Sequence, residues 1–319
     1  MPLIDMPLDE LKNYHGAMTK PDDFDAFWDD ALASLDQLEL NLSITKADFQ
    51  VPFATCYDVY YNATDGARIY AKMIKPNSLT AKAPAVLRFH GYAGDSGDWT
   101  GLLNYAAAGM IVLAMDCRGQ GGKSTDVSQV KGGTLYGFIM KGVDSGRDAL
   151  YFKHVFLDTV LLARIALDMP DVDSNRVYAC GASQGGALTL ACASLEPRIR
   201  KLVPVYPFLC DYRRVWDLDL AKDAYIGLRE YFRHFDPRHE REDEFFSTLS
   251  YIDLQFLTSR IQGDVLMSTG LMDTICPPST QFAAYNNIMS SKKMDIYPDF
   301  AHEHLPGHND RELAFLLEN

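Results

Sequence analysis

The chain has 319 residues, of which 30 are Lys or Arg and 43 are Asp or Glu, so its formal net charge is −13. With 47% hydrophobic and 23% charged residues, the composition is that of a globular protein with a substantial core and excludes a disordered chain. The acidic balance argues against nucleic acid as a partner, because phosphate binding depends on clustered Lys and Arg.

The sequence contains no apolar segment of the roughly 20 residues that a membrane-spanning helix needs. Its longest apolar stretch, residues 105–115, ends at Asp116 after 11 residues. Residues 1–5 show neither the basic nor the apolar region of a secretory signal, and none of the six cysteines forms a C-x-x-C pair. We therefore expect buried thiols, a cytoplasmic location and no membrane partner.

The N-terminal part, residues 1–49, is predicted to be a helical extension. Aromatic and aliphatic residues recur at helical spacing from Phe24 to Leu35, and acidic residues occupy the first turn. The chain continues with a predicted hairpin, whose two strands and connecting turn are residues 50–61, 68–74 and 62–66.

From residue 84 onward, short apolar runs alternate with helical segments. The strand-like runs are residues 85–89, 110–115, 176–180, 201–206, 264–269 and 293–297. The clearest helices are 147–167 and 185–195. This alternation predicts one α/β domain over residues 1–319, with a mostly parallel sheet and helices on both faces. Residues 208–260 interrupt it and are predicted to be a helical insertion near the carboxyl edge of the sheet, either a substrate lid or a packing surface.

Residues 181–185 read Gly-Ala-Ser-Gln-Gly and match the G-x-S-x-G pattern. The match follows a predicted buried strand and opens a predicted helix, which is the context in which this pattern presents a nucleophilic serine. Small flanking residues are needed because the turn strains the backbone. We therefore interpret Ser183 as a nucleophile, and the alternative is a tight glycine-rich turn with a capping serine.

A serine hydroxyl needs a base to become a good nucleophile, and the base in turn needs an orienting group. Asp273 follows the predicted strand 264–269, and His302 follows the strand 293–297. The order Ser183, Asp273, His302 is that of α/β-hydrolases. All three residues follow predicted strands, at the edge where open α/β sheets place their ligands. The sequence thus predicts a Ser–His–Asp triad.

The negative charge that develops during acyl transfer needs fixed N–H donors. One predicted donor is the backbone N–H of Gln184, next to the nucleophile. The other is the backbone N–H of Tyr92, in the loop that follows the strand 85–89. For His90 and Gly91 in this loop, simple termination of the strand is the alternative interpretation.

Two further patterns have competing interpretations. His302, His304 and His308 suggest a metal site, but residues two and six apart do not share a helix face, so we predict no metal. The sequence Arg118-Gly119-Gln120 could cradle phosphate, yet it lacks the ending of a P-loop. We favour an arginine that holds neighbouring loops through carbonyls or a carboxylate.

Smaller roles are assigned to two residues beside the predicted triad. Cys276 lies close to Asp273 but is not part of a strand–turn–helix motif like that of Ser183, so we interpret it as a packed thiol. Glu303 adjoins His302 and is the alternative candidate for the triad acid, but adjacent residues rarely hydrogen-bond well through their side chains. We therefore expect Glu303 to fix its loop.

Arg118-Gly119-Gln120, the motif 181–185, Asp273 and His302-Glu303 together resemble carbohydrate esterase family seven, the acetyl xylan esterases and cephalosporin C deacetylases. Nearly the whole chain shares the resemblance. It implies an α/β-hydrolase fold with Ser183 as nucleophile, His302 as general base and acid, and Asp273 as the orienting acid. Tyr92 and Gln184 would supply the oxyanion N–H groups.

The resemblance also implies properties beyond the triad. Family members are intracellular and metal-independent, and typically form hexamers built as a trimer of dimers. The resemblance implies a serine esterase that removes acetyl groups from xylo-oligosaccharides and cephalosporin C. We therefore expect no cofactor and small-molecule acetyl esters as partners. Tyr92 and Phe208 are predicted to contact substrate, with core packing as the alternative for such aromatic residues. Arg118, Gln120 and Glu303 are predicted to support the site. A broader short-chain esterase or peptidase of the same fold, and a non-catalytic hydrolase-like binding protein, are the alternative functions.

Overall fold

Nine strands form one sheet in the computed structural model, which describes residues 4–318. They are β1 Ser43–Lys46, β2 Ala54–Asn62, β3 Arg68–Pro76, β4 Ala83–Phe89, β5 Ile111–Met115, β6 Val172–Ala182, β7 Lys201–Val205, β8 Asp264–Gly270 and β9 Lys292–Tyr297. The order across the sheet is β1-β2-β3-β5-β4-β6-β7-β8-β9. The pairs β1–β2, β2–β3 and β3–β5 are antiparallel. The remaining neighbours in this order, β5, β4, β6, β7, β8 and β9, run parallel to one another.

Eleven α-helices accompany the sheet within the described residues. They are α1 Leu8–Leu11, α2 Phe24–Ser34, α3 Leu103–Ala107, α4 Tyr151–Asp168, α5 Gln184–Leu195, α6 Tyr212–Asp217, α7 Ile226–Phe235, α8 Glu242–Leu249, α9 Leu254–Leu257, α10 Pro278–Asn286 and α11 His308–Leu317. Helices α6 to α9 lie between β7 and β8 in the chain. None of the helices in residues 4–318 is both long enough and apolar enough to span a bilayer.

The central strands are buried on both faces because alternate side chains enter two separate hydrophobic layers. In β4, Ala85, Leu87 and Phe89 belong to the larger layer, which contains α4 and α5. Val86 belongs to the smaller layer, which contains α3 and the end of α11. A strand with apolar side chains on both faces thus needs helices on both sides, as the continuous apolar runs of the sequence predict.

The predicted fold class is confirmed, and the hairpin and all six later strands are found within a few residues of their predicted bounds. Two local predictions differ. Residues 43–46, assigned to the helical extension, form the edge strand β1. The helix predicted from residue 147 begins at Tyr151, because Gly146 has a φ of 89° and residues 147–149 form a 3₁₀ turn. All six cysteines are buried free thiols, as predicted.

Helix α5 is buried along its whole length, between the sheet and α4. Replacing Leu188, which has no exposed surface, by alanine should lower the free energy of unfolding by about 2–5 kcal/mol because a cavity remains. Leu317→Ala is the control, since half of that side chain is exposed, and it should change stability by about 0.5 kcal/mol or less. Urea unfolding measures both, and equal effects of the two substitutions would contradict the assignment of α5 to the core.

Candidate active site

Ser183 lies at the sharp turn between β6 and α5, with backbone angles φ 59° and ψ −119° that residues with side chains rarely adopt. Its N–H donates to Val205 O on β7 at 2.9 Å. A Cβ at Gly185 would overlap the Phe89 carbonyl oxygen, so only glycine allows α5 to approach β4 this closely. The local sequence therefore holds Ser183 at the carboxyl edge of the sheet.

Asp273 and His302 meet where the loops after β8 and β9 come together. His302 Nδ1 lies 2.8 Å from Asp273 Oδ2, and the imidazole side chain is 16% exposed. Asp273 is fully buried, and its Oδ1 accepts the N–H groups of Ile275 and Cys276 at 2.8 Å each. A carboxylate accepts hydrogen bonds, so in this pair Nδ1 carries the proton and Nε2 is left as the basic nitrogen.

Cys276 lies beside the Asp273–His302 pair. Its Sγ lies within 4.8 Å of a ring nitrogen of His302 and of a carboxylate oxygen of Asp273. Burial raises the pKa of the Cys276 thiol well above its usual range, which keeps it neutral. The thiol is buried, as the interpretation of Cys276 as a packed thiol predicts.

The loop after β4 carries Tyr92 and is fastened to the segment after β5 by His90. His90 Nε2 accepts the N–H of Cys117 at 2.9 Å, and Nδ1 donates to Gly91 O at 2.7 Å. Burial lowers the pKa of His90, and the neutral ring can both donate and accept in this way. Gln184 is the first residue of α5, so its backbone N–H has no acceptor within the helix.

Gln120 joins the two segments that carry the predicted oxyanion donors. Its Oε1 accepts from Ala93 N at 2.9 Å and from Gln184 Nε2 at 3.0 Å. Its Nε2 donates to Gln184 Oε1 at 2.9 Å and to Tyr151 OH at 3.0 Å. One side chain thus fixes both the residue after Tyr92 and the residue after Ser183.

Arg118 lies deeper, where it forms a buried ion pair with Asp158 of α4. Arg118 Nε and Nη2 donate to the two carboxylate oxygens at 2.7 and 2.5 Å, and Nη2 also donates to Thr64 Oγ1 at 3.0 Å. The side chains of the ion pair are 1% and 0% exposed. The guanidinium therefore fastens the segment after β5 to α4 and to the hairpin.

The remaining predicted site residues lie around this centre. Glu303 is exposed, and its Oε1 accepts the N–H of Ala301 at 3.0 Å within its own loop. Phe208 is fully buried, with its ring centroid 5.6 Å from that of Tyr92. Phe208 thus supports Tyr92 from within the core, and a direct contact with substrate stays a prediction. Tyr206, which the sequence analysis did not single out, packs against the His302 ring at 4.4 Å.

The three histidines of the alternative metal site do not converge. His304 is exposed, whereas His308 begins α11 and lies 3.0 Å from Ser268 Oγ through Nδ1. Among residues 4–318, the one group of three His, Cys or carboxylate side chains with converging ligand atoms is Asp273, Cys276 and His302.

The Arg118–Asp158 pair allows a stability test. Arg118→Met leaves a buried carboxylate without its partner, and should lower the free energy of unfolding by about 3–5 kcal/mol. Changing Asp158→Leu as well removes the uncompensated charge and should restore most of that loss. Urea unfolding of the single and double variants checks this, and a cost below about 1 kcal/mol for Arg118→Met would refute the role of the pair.

Comparisons with known proteins identify the family of the chain. Residues 1–319 match the family model described as acetyl xylan esterase. Acetyl xylan esterase 1 from Thermoanaerobacterium sp. JW/SL YS485 is 55% identical, with a TM-score of 0.96 over 98% of each chain. The acetyl xylan esterase from Paenibacillus sp. R4 is 36% identical, with a TM-score of 0.93 over 98% of this chain and 99% of that one.

A curated relative is longer than this chain. Acetyl esterase Axe7A from Xylanibacter ruminicola is 30% identical over 285 residues, which cover 87% of this chain. The aligned region spans 62% of the length of that relative.

Proposed function

Because the chain belongs to the acetyl xylan esterase family, we propose that it removes acetyl groups from O-acetylated sugars such as xylo-oligosaccharides through an acyl-Ser183 intermediate. The observations that carry this proposal are the 2.8 Å contact between His302 Nδ1 and Asp273 Oδ2 and the strained turn that holds Ser183 at the same carboxyl edge of the sheet. A serine, an imidazole and a carboxylate so placed have the parts of a nucleophilic triad.

In the proposed reaction, Ser183 Oγ attacks the acetyl carbonyl carbon while His302 Nε2 takes the hydroxyl proton. The bond to the sugar oxygen then breaks, and that oxygen receives the proton from His302. Water next attacks the acyl-serine, with His302 again acting as base, and releases acetate. Asp273 keeps the proton on Nδ1 and stabilises the imidazolium.

The negative charge that forms on the acetyl oxygen would be bound by the backbone N–H groups of Tyr92 and Gln184. Such donors are worth most when they are held before the charge develops. Gln120 bonds Ala93, the neighbour of Tyr92, and the side chain of Gln184, and the Tyr92 hydroxyl accepts a hydrogen bond from Phe138 N at 2.9 Å. These bonds support a preorganised oxyanion site with Tyr92 as part of the substrate-facing wall.

Family membership also supports three finer expectations. Cephalosporin C is the second proposed acetyl ester substrate. The proposed assembly is a hexamer built as a trimer of dimers. The proposed location is the cytoplasm, where a reducing environment would keep all six buried cysteines as thiols.

The esterase proposal is tested with aryl esters of increasing acyl length, acetylated xylo-oligosaccharides and cephalosporin C. We expect Ser183→Ala to reduce kcat by about 10⁴-fold or more, because no other group replaces the nucleophile. Ser194→Ala is the matched control, since Ser194 lies on the same helix and its hydroxyl bonds only Leu190 O. This control should retain the rate of the unaltered protein.

Each alternative function has its own result in that experiment. Undiminished turnover by Ser183→Ala would refute the nucleophile. Equal rates on acetyl and octanoyl esters would indicate a broader esterase, and cleavage of short peptides without deacetylation of sugars would indicate a peptidase. Failure of the unaltered protein to react with a fluorophosphonate would favour a non-catalytic binding protein.

Gln120→Leu tests whether preorganisation of the two donors matters. Loss of its four hydrogen bonds should lower kcat by roughly 10- to 100-fold with little change in KM, because the donors act mainly in the transition state. Gln50→Leu is the control, since that amide also fastens a loop, through Ala47 O and Cys56. Steady-state kinetics should show the kcat loss only for Gln120→Leu, and equal kcat values would argue against its positioning role.

A further inference from the structure

The segment that ends β7 and follows it bonds the backbone of the nucleophile on both sides. Ser183 N donates to Val205 O at 2.9 Å, and Phe208 N donates to Ser183 O at 3.1 Å. Tyr206 lies between these two bonding positions, and the proposed mechanism gives it no role. Its place relative to Ser183 is therefore fixed by backbone hydrogen bonds and does not depend on a flexible side chain.

Tyr206 has a backbone conformation that is unusual for a large residue. Its φ of 31° lies in the left-handed region, which glycine adopts more readily. A hydrogen bond from Tyr206 N to Ser268 O on β8, at 2.8 Å, helps to hold it there. Residues that their surroundings keep in such conformations are concentrated at functional sites. The backbone at Tyr206 therefore directs attention to what its side chain contacts.

The half-buried ring of Tyr206 packs against the imidazole of His302. The two ring centroids are 4.4 Å apart, and the ring planes are inclined by 48°. Asp273 holds the same imidazole at Nδ1 through the 2.8 Å contact. A single hydrogen bond leaves the imidazole free to tilt, and a neighbouring aromatic ring limits that motion. The base is thus held by two groups, and one of them is tied through its own backbone segment to Ser183.

We propose that Tyr206 is a positioning residue for the reaction, whose ring keeps His302 Nε2 aligned with Ser183 Oγ and stabilises the imidazolium. An aromatic ring attracts a cation within about 6 Å of its centroid, and the imidazolium would lie within that distance. During attack the proton of Oγ passes to Nε2 while the bond from Oγ to the acetyl carbon forms, and Tyr206 gains or loses no bond. The role rests on the proposed function.

The ring of Tyr206, and not its hydroxyl, is the group that this role needs. Burial raises the pKa of the Tyr206 hydroxyl, so the phenol stays neutral and brings no charge to the site. Phenylalanine would therefore keep the contact with His302, whereas an aliphatic residue would remove it.

Steady-state kinetics of Tyr206→Leu with an acetyl ester test the role. We expect kcat to fall roughly 10- to 100-fold while KM changes by less than about twofold, because alignment of the base matters in the transition state. Tyr206→Phe should retain most of kcat. Tyr60→Leu is the matched control and should keep the kcat of the unaltered protein. Tyr60 is also half-buried and packs against an aromatic ring, that of Tyr70 at 5.0 Å, but it lies in β2.

Urea unfolding of each variant separates a loss of kcat from a loss of folded protein. Should Tyr206→Leu not fold, Tyr206→Gly is the second variant without the ring, since glycine adopts a φ of 31° without strain, and the same loss of kcat is expected. Unchanged kcat in a variant without the ring would overturn the proposal. An equal loss in Tyr206→Phe would assign the effect to the hydroxyl and would overturn it too.

A second readout does not depend on recognition of an acetyl ester. The rate at which a fluorophosphonate modifies Ser183 depends on His302 as base, so it should fall in Tyr206→Leu and be retained in Tyr206→Phe. If the unaltered protein reacts with the fluorophosphonate but not with acetyl esters, the proposed function fails, and these rates still decide the role of Tyr206. If the unaltered protein does not react at all, the role of Tyr206 is refuted together with the nucleophile.

Discussion

The close approach of β4 to the start of α5 is the constraint on which the rest of the site depends. Any side chain at Gly185 would overlap the Phe89 carbonyl, so glycine allows the turn at Ser183 to sit directly beside the loop that begins at His90. This close approach brings the N–H of Gln184 and the loop of Tyr92 to one place, so that donors can be fixed before charge develops.

A series of polar contacts connects the predicted oxyanion segments to the core. Gln120 joins the two oxyanion segments, Tyr151 joins Gln120 to Arg118 O, and Arg118 forms its ion pair with Asp158. The side chains become less exposed along this series of contacts, and the last pair, Arg118 and Asp158, is buried from water. Displacement of Gln120 would thus lower kcat. Loss of the Arg118–Asp158 pair would instead lower the free energy of unfolding, because an unpaired buried charge destabilises the whole domain.

Much of this could be predicted from the sequence, because the relevant signals are local or repeat at fixed positions. The alternation of apolar strands with helices predicted the sheet. The family resemblance and the fold class are both confirmed. The approach of Cys276 to His302 depends on how two loops far apart in the chain pack, and no spacing encodes it. The same is true of Tyr206 against His302. Strand β1 has four residues, too few for a periodic signal.

The central claim is that the acetyl group passes through Ser183. Rapid acid quenching during turnover of an acetyl ester, followed by peptide mass spectrometry, tests it directly. The account predicts one acetyl group on the peptide that contains Ser183, formed at a rate no slower than overall turnover. Acetate release without acetylation of that peptide, or an acetyl group that accumulates on another residue at the catalytic rate, would contradict it.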